Sequence, residues 1–229
     1  MDQDVALIRQ RLTTPRAAGI AGIVFSAISI VGHVLIMYSI PRSPLGSALQ
    51  FARHAKTVSF VMYLVPFAGI AFLWFIGVVR DRIGNLEDRF FVTVFMGSGL
   101  LYIAMLFVFA AITGGLLVAL GVRSENILQS GVYDVARATA HRVLNVYAIK
   151  MAGVFMISAS TIRVRGRIGP RWLAFLGYVL ALVLLLSIAT FEWAPLVFPL
   201  WAFLISVSIL IERFRGPLNS EPGSIPTVS

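Results

Sequence analysis

The sequence predicts an all-α fold, a polytopic integral membrane protein with six transmembrane helices in one bundle. Three observations carry this. Hydrophobic residues fill 59% of the 229 positions and charged residues only 13%, against about 45–50% and 25% in soluble domains. Six apolar stretches approach the roughly 20 residues that a helix needs to cross a hydrocarbon core. Together they use most of the chain, which leaves too little for a soluble domain of ordinary size.

The elements follow in order. Residues 1–16 form an N-terminal segment in which Val5, Leu7, Ile8 and Leu12 recur beside Arg9 and Arg11, a weak helical pattern suited to the inner membrane surface. The first span, 17–40, is too long and too weakly flanked by a cleavage site for a removable signal peptide. Pro41 and Pro44 close it. The second span covers 58–79. The third, 91–116, lies in an apolar tract from Phe90 to Leu120, so the bilayer holds a tilted helix or loses the end after Gly114-Gly115. From Ser124 to Arg142, apolar Ile127, Leu128, Val132, Val135 and Ala138 alternate at helical spacing with Asp134, Arg137 and His141. An outer-surface helix leading into the fourth span, 143–162, is expected there. Gly169-Pro170 precedes the fifth span, 172–190. A short link containing Trp193, suited to an interfacial belt, joins it to the sixth, 195–211. Residues 212–229 are rich in breakers and read as a disordered tail.

Charge sets the orientation. The 19 Lys and Arg outnumber the 10 Asp and Glu, giving +9, which in a soluble chain would suggest nucleic acid. Here the basic residues flank apolar stretches, so the partner is the lipid bilayer and no nucleic acid is expected. Twelve Arg fall on one side: Arg9, Arg11, Arg16, Arg80, Arg82, Arg89, Arg163, Arg165, Arg167, Arg171, Arg213 and Arg215. The other side has six: Arg42, Arg53, Lys56, Arg123, Arg137 and Arg142. Basic residues stay inside, so both termini are expected in the cytoplasm of a bacterial plasma membrane.

Chemical signals are sparse. With no Cys, thiolate metal sites and disulfides are excluded. The Gly97-Ser98-Gly99 triplet has Met96 where rhomboid-type intramembrane proteases carry a first Gly, and no His lies in the sixth span to act as base. His54 and His141 sit near the outer surface, which leaves no pair of histidines at matched depth for haem. No catalytic residue, metal or cofactor is assigned, and the balance leans away from an enzyme.

Two groups of residues stand out. Gly19, Gly22, Ser26, Ser29 and His33 share one face of the first span, a stripe on which another helix packs closely. His33 ends that stripe, as packing glue or as a proton-relay or ligand group. Lys150 is the one formal charge well inside a span and has no acidic partner at its depth. Either it snorkels toward the outer head groups or it forms a polar site with His33, Asn145 and Tyr147. The second group is the cytoplasmic loop of Arg80, Asp81, Arg82, Glu87, Asp88 and Arg89, whose charges nearly cancel.

Within that loop, Gly77, Asp81, Arg82 and Gly84 resemble the Gly-x-x-x-Asp-Arg-x-Gly turn of major-facilitator transporters, which also joins second and third spans. Asn85-Leu86 stands where that family has a basic pair, and six spans are half its usual twelve. The longer stretch Phe75 to Tyr102, with Arg-Asp-Arg-Ile-Gly, Glu-Asp-Arg-Phe-Phe and Gly97-Ser98-Gly99, is similar to a group of uncharacterised multi-span membrane proteins of high-GC bacteria. That resemblance implies a membrane bundle and no activity. The functional expectation is a structural or interaction role, with homo-oligomers or other membrane proteins as partners. The alternative is a small-solute, ion or proton transporter or channel lined by His33 and Lys150.

Overall fold

The computed structural model describes residues 2–39, 51, 53–83, 89–129, 131–166, 170–187, 191 and 193–214. The regular elements among them are all helical: α1 (Asp2–Ser39), α2 (Ala55–Ile83), α3 (Arg89–Gln129), α4 (Val132–Arg142), a π-helical turn (Val143–Ala148), α5 (Ile149–Arg165), α6 (Arg171–Leu186) and α7 (Ala194–Phe214). Five stretches are long and apolar enough to cross a membrane: Gly19–Ser39, Ala55–Gly77, Phe90–Gly121, Val132–Arg165 and Ala194–Ile211.

Three boundaries differ from the sequence-based expectation. The N-terminal residues continue directly into the first span, so α1 is one helix of 38 residues and not a surface helix followed by a span. The third helix does not break at Gly114-Gly115 but runs 41 residues to Gln129. Consequently the amphipathic stretch Ser124–Arg142 is two pieces, divided at Gly131, whose φ of 70° reverses the chain where a side chain would be strained. Past that reversal α4, the π turn and α5 form one continuous rod of 34 residues, roughly 51 Å long. It exceeds the roughly 30 Å of a hydrocarbon core. In the other direction α6 has only 16 residues, about 24 Å, and stops at Leu186 where the fifth span was expected to reach 190. Residues 188–190 lie outside the described set, as does the tail from 215.

Packing explains why these helices associate. In lipid no hydrophobic force joins helix to helix, so small residues that admit close backbone approach decide the contacts. The stripe on α1 does this. A Cβ at Gly19 would stand 2.6 Å from Leu210 of α7, and one at Gly22 would overlap Ser206 and stand 2.8 Å from the Phe75 ring. Ser26 is fully buried and returns its hydroxyl to the Gly22 carbonyl at 2.7 Å. Between α5 and α6 the same device recurs. Gly153 faces Leu185 and the Ala181 carbonyl, while Gly177 sits against Ser160 and the Trp201 indole. Thr161 donates to the Ile157 carbonyl and accepts from Tyr178 across the α5–α6 contact at 2.8 Å.

The centre is aromatic. Phe25, Phe72, Phe155 and Phe198 are fully or almost fully buried, with ring centroids 4.6 Å apart for Phe25–Phe72, 5.2 Å for Phe72–Phe155 and 5.5 Å for Phe72–Phe198. Tyr102 stands edge-on to Phe198 at 4.7 Å, and Phe95 stacks on Phe155 at 4.4 Å. Trp74 and Phe107 face outward instead, with Phe67, Leu101, Phe175 and Val179, an apolar exterior suited to lipid. At the far end of the rod the last turn of α5 uses two arginines that the sequence suggested were loop charges. Arg163 is buried and donates to Ser208 of α7 at 3.3 Å. The Arg165 guanidinium lies over the Phe91 ring at 4.6 Å, a cation–π contact that joins α5 to the start of α3.

Candidate functional site

Beside α4 the helices part around a cavity of about 400 Å³. A second, smaller hydrophobic cluster of Phe51, Val58, Leu116, Leu120 and Tyr133 packs at the same end. Its aromatic pair, Phe51 and Tyr133, meets edge-on at 6.1 Å. Helix α3 brings Phe109, Thr113 and Leu116 to the wall, α1 brings His33, Ile36 and Met37, and the rod brings Tyr133, Arg137, His141, Arg142, Leu144 and Asn145. Ala138, His141 and Arg142 are exposed, so the cavity opens at the α4 side.

The π turn places Asn145. A π turn shifts the backbone ladder from i→i−4 to i→i−5 bonding and recurs at functional positions. Inside this one Asn145 donates Nδ2 to the His141 carbonyl four residues back, at 3.1 Å. Its residue exposure is 7%, yet among the described residues its Oδ1 accepts no hydrogen bond. The Tyr133 hydroxyl is in the same condition, on a residue only 4% exposed. A buried polar atom without a partner costs about 1–3 kcal/mol; both atoms are sealed from solvent, like Ser160 Oγ and Trp201 Nε1 in the bundle core.

Of the intramembrane residues singled out in the sequence, the cavity brings together His33 and Asn145 only. Tyr147 is 57% exposed on the outside of the π turn. Lys150 lies one turn further on and points to another element. Its ammonium donates to the carbonyls of Leu184 (3.3 Å), Leu185 and Ser187 (3.0 Å), the last carbonyls of α6 and its cap. Those groups have no helical donor of their own, and they carry the negative end of the helix dipole. The lysine's partner is therefore a helix terminus, an arrangement between the two readings that the sequence allowed. The charged loop is spread differently from expectation too. Arg80, Asp81 and Arg82 belong to α2 and Arg89 opens α3, whereas Glu87 and Asp88 lie outside the described residues.

Sequence reasoning missed Tyr133, Thr113 and the role of Arg137 and Arg142 in the wall. The amphipathic pattern of α4 was visible, but it reads equally as a helix on a membrane surface. Ser98, between the two glycines of its triplet, returns its hydroxyl to the Val94 carbonyl at 2.7 Å. That satisfies the group within its own helix.

Below the main cavity a pocket of about 60 Å³ shares His33, Ile36, Phe109 and Leu144 with it and reaches Ser29 and Tyr102. A third, of about 30 Å³ beside Phe95, Phe155 and Arg163, shares no lining residue with the other two. Fold and cavity together define, among the described residues, an all-helical protein with five stretches long and apolar enough to cross a membrane and a polar recess at one end. No family model matches the chain, and no curated protein or solved structure matches it.

Proposed function

We propose that the chain is a six-span bacterial plasma-membrane protein, one bundle over 17–211 with both termini cytoplasmic, and that its role is structural or interactive, not that of a conduit. The asymmetry of basic residues supports the orientation, and with it a recess on the outer face. α6, fifth in chain order, counts as a span and brings the five long helices to six because Lys150 supplies, at its short end, the donors that lipid lacks. The observation that carries the functional reading is the aromatic layer of Phe25, Phe72, Phe155 and Phe198 between the recess and the pocket beside Arg163. A transporter around His33 and Lys150 needs both on one wet path, and the Lys150 ammonium is engaged at α6.

Since the chain has no native Cys, single cysteines test this cleanly. Ala138→Cys, exposed at the recess, is expected to react with a membrane-impermeant maleimide from one side. Ser26→Cys and Ser160→Cys, at fully buried positions, are expected to react from neither. Modification of either core cysteine would reveal a water path and overturn the reading.

A further inference from the structure

Resting on the membrane setting proposed above but not on the sealed core, we infer that the recess beside α4 takes a single-chain organic anion, a carboxylate or similar head on an apolar body of about a dozen non-hydrogen atoms. Three observations define that occupant. The first is the direction of the cavity. Its mouth is marked by Ala138, His141 and Arg142, which are exposed. Its inner end is marked by His33, Ile36, Phe109 and Leu144, which it shares with the pocket of about 60 Å³ that continues to Tyr102. Tyr102 packs on Phe25, Phe72 and Phe198, so the space runs inward from an open mouth and ends against the aromatic layer.

The second observation is the wall. Met37, Phe51, Phe109, Leu116 and Leu144 make its body apolar, and the inner pocket adds Val61, Val65 and Leu106. Space lined in this way is a poor host for water and a good one for hydrocarbon. At the roughly 30 Å³ that a water-sized group occupies, the recess of about 400 Å³ accommodates one medium chain. The two chains of a bilayer phospholipid exceed it. The third observation is the head. Arg142 stands at the mouth and Arg137 is half-buried in the wall, and among the described residues neither is held in an ion pair. A guanidinium presents its N–H groups in a fork that fits a carboxylate with two parallel bonds. An anion held there leaves its chain directed inward along the apolar wall. The sealed Tyr133 Oη and Asn145 Oδ1 take no part. Hydrocarbon gains little by leaving lipid or a micelle for an apolar cavity, so the head decides affinity and the volume decides length.

The test uses the purified full chain in a non-ionic detergent, with native mass spectrometry reading the bound fraction at equal mole fractions of ligand in detergent. Laurate is expected to bind one to one and about tenfold more tightly than dodecanol or dodecylamine, the scale of one charge-assisted contact. Octanoate at least as tight as laurate assigns the site to a soluble anion, and laurate tighter than octanoate assigns it to a membrane-resident one; both support the inference. Phosphatidic acid, an anion with two chains, is expected to bind less tightly than laurate. Arg137→Gln with Arg142→Gln is expected to remove the preference for laurate over dodecanol and to leave dodecanol binding as it was. Should that pair fail to fold, Arg142→Gln alone, at an exposed position, is expected to lower laurate binding about threefold. Ala138→Trp, also exposed, fills the mouth and is expected to abolish binding of laurate and dodecanol alike, whereas Ala138→Ser leaves both. Dodecylamine or phosphatidic acid bound as tightly as laurate, or laurate binding unchanged in Arg142→Gln and Ala138→Trp, would overturn the inference. None of these results bears on the sealed core, which cysteine labelling tests separately.

Discussion

Lys150→Met is expected to lower the stability of the assembled helices by about 2 kcal/mol, the scale of hydrogen bonds from a charged donor tempered by the weaker values measured within membranes. Two effects oppose each other. Removing an ammonium from a span eases insertion, where a lysine at a helix centre costs about 2.5–3.5 kcal/mol. Yet the Leu185 and Ser187 carbonyls then lose the ammonium, while the Leu184 carbonyl keeps the Ser187 hydroxyl at 2.9 Å. Insertion precedes assembly, and the cost of the lysine is borne in both the separated and the packed states, so stability of packing responds mainly to the lost cap. Reversible unfolding in mixed micelles reads the difference. Lys150→Arg, which keeps charge and donors, is expected to recover most of the loss. A methionine variant more stable than the parent would mean that the ammonium contributes nothing at the end of α6.

Gly22→Val is expected to cost more, about 3 kcal/mol, because overpacking a filled contact forces shifts in both helices. The first added atom already overlaps Ser206 and meets the Phe75 ring at 2.8 Å. Ser206 has room to change rotamer only by giving up its bond to the Ala202 carbonyl. Phe75 has less freedom, since it is buried and packs 6.0 Å from Phe72 in the aromatic layer. Gly97 is the control, with nothing within 4 Å of its would-be Cβ. Gly97→Ala is expected to be neutral or to stabilise by up to about 1 kcal/mol through helix propensity. If the two glycines tolerate substitution equally in the same unfolding assay, close approach of α1 and α7 is not what holds them together.

The contrast between these two glycines shows how much was legible beforehand. Gly19, Gly22 and Ser26 announce a packing face because they recur at helical spacing, and the face is where the spacing put it. Gly97 and Gly99 look equally meaningful in sequence, but only Gly99 meets a neighbour, with Ile76 at 2.6 Å. Apolar length reveals spans well and their ends poorly: Gly114-Gly115 resembles a stop, yet the helix passes through, since two glycines weaken a helix without breaking it when α4 packs beside it. The end of α6 was unreadable because its cap comes from Lys150, 34 residues earlier than Leu184. For the recess, His33 and Asn145 stood out as polar groups inside apolar spans. Tyr133, Arg137 and Arg142 did not, because an amphipathic helix outside a span looks the same whether it lies on lipid or roofs a cavity. The π turn carries no periodic signature of its own.

The six-fold crossing rests on α6, the shortest of the proposed spans, and one pair of labels decides it. Cysteines introduced singly at Gly166, before α6, and at Phe191, after it, are expected to react with an impermeant maleimide from opposite faces of sealed, oriented vesicles, with Gly166→Cys reacting on the face that carries the N-terminus. Reaction of both from the same face would mean that α6 does not cross, and would reverse the side assigned to the C-terminus.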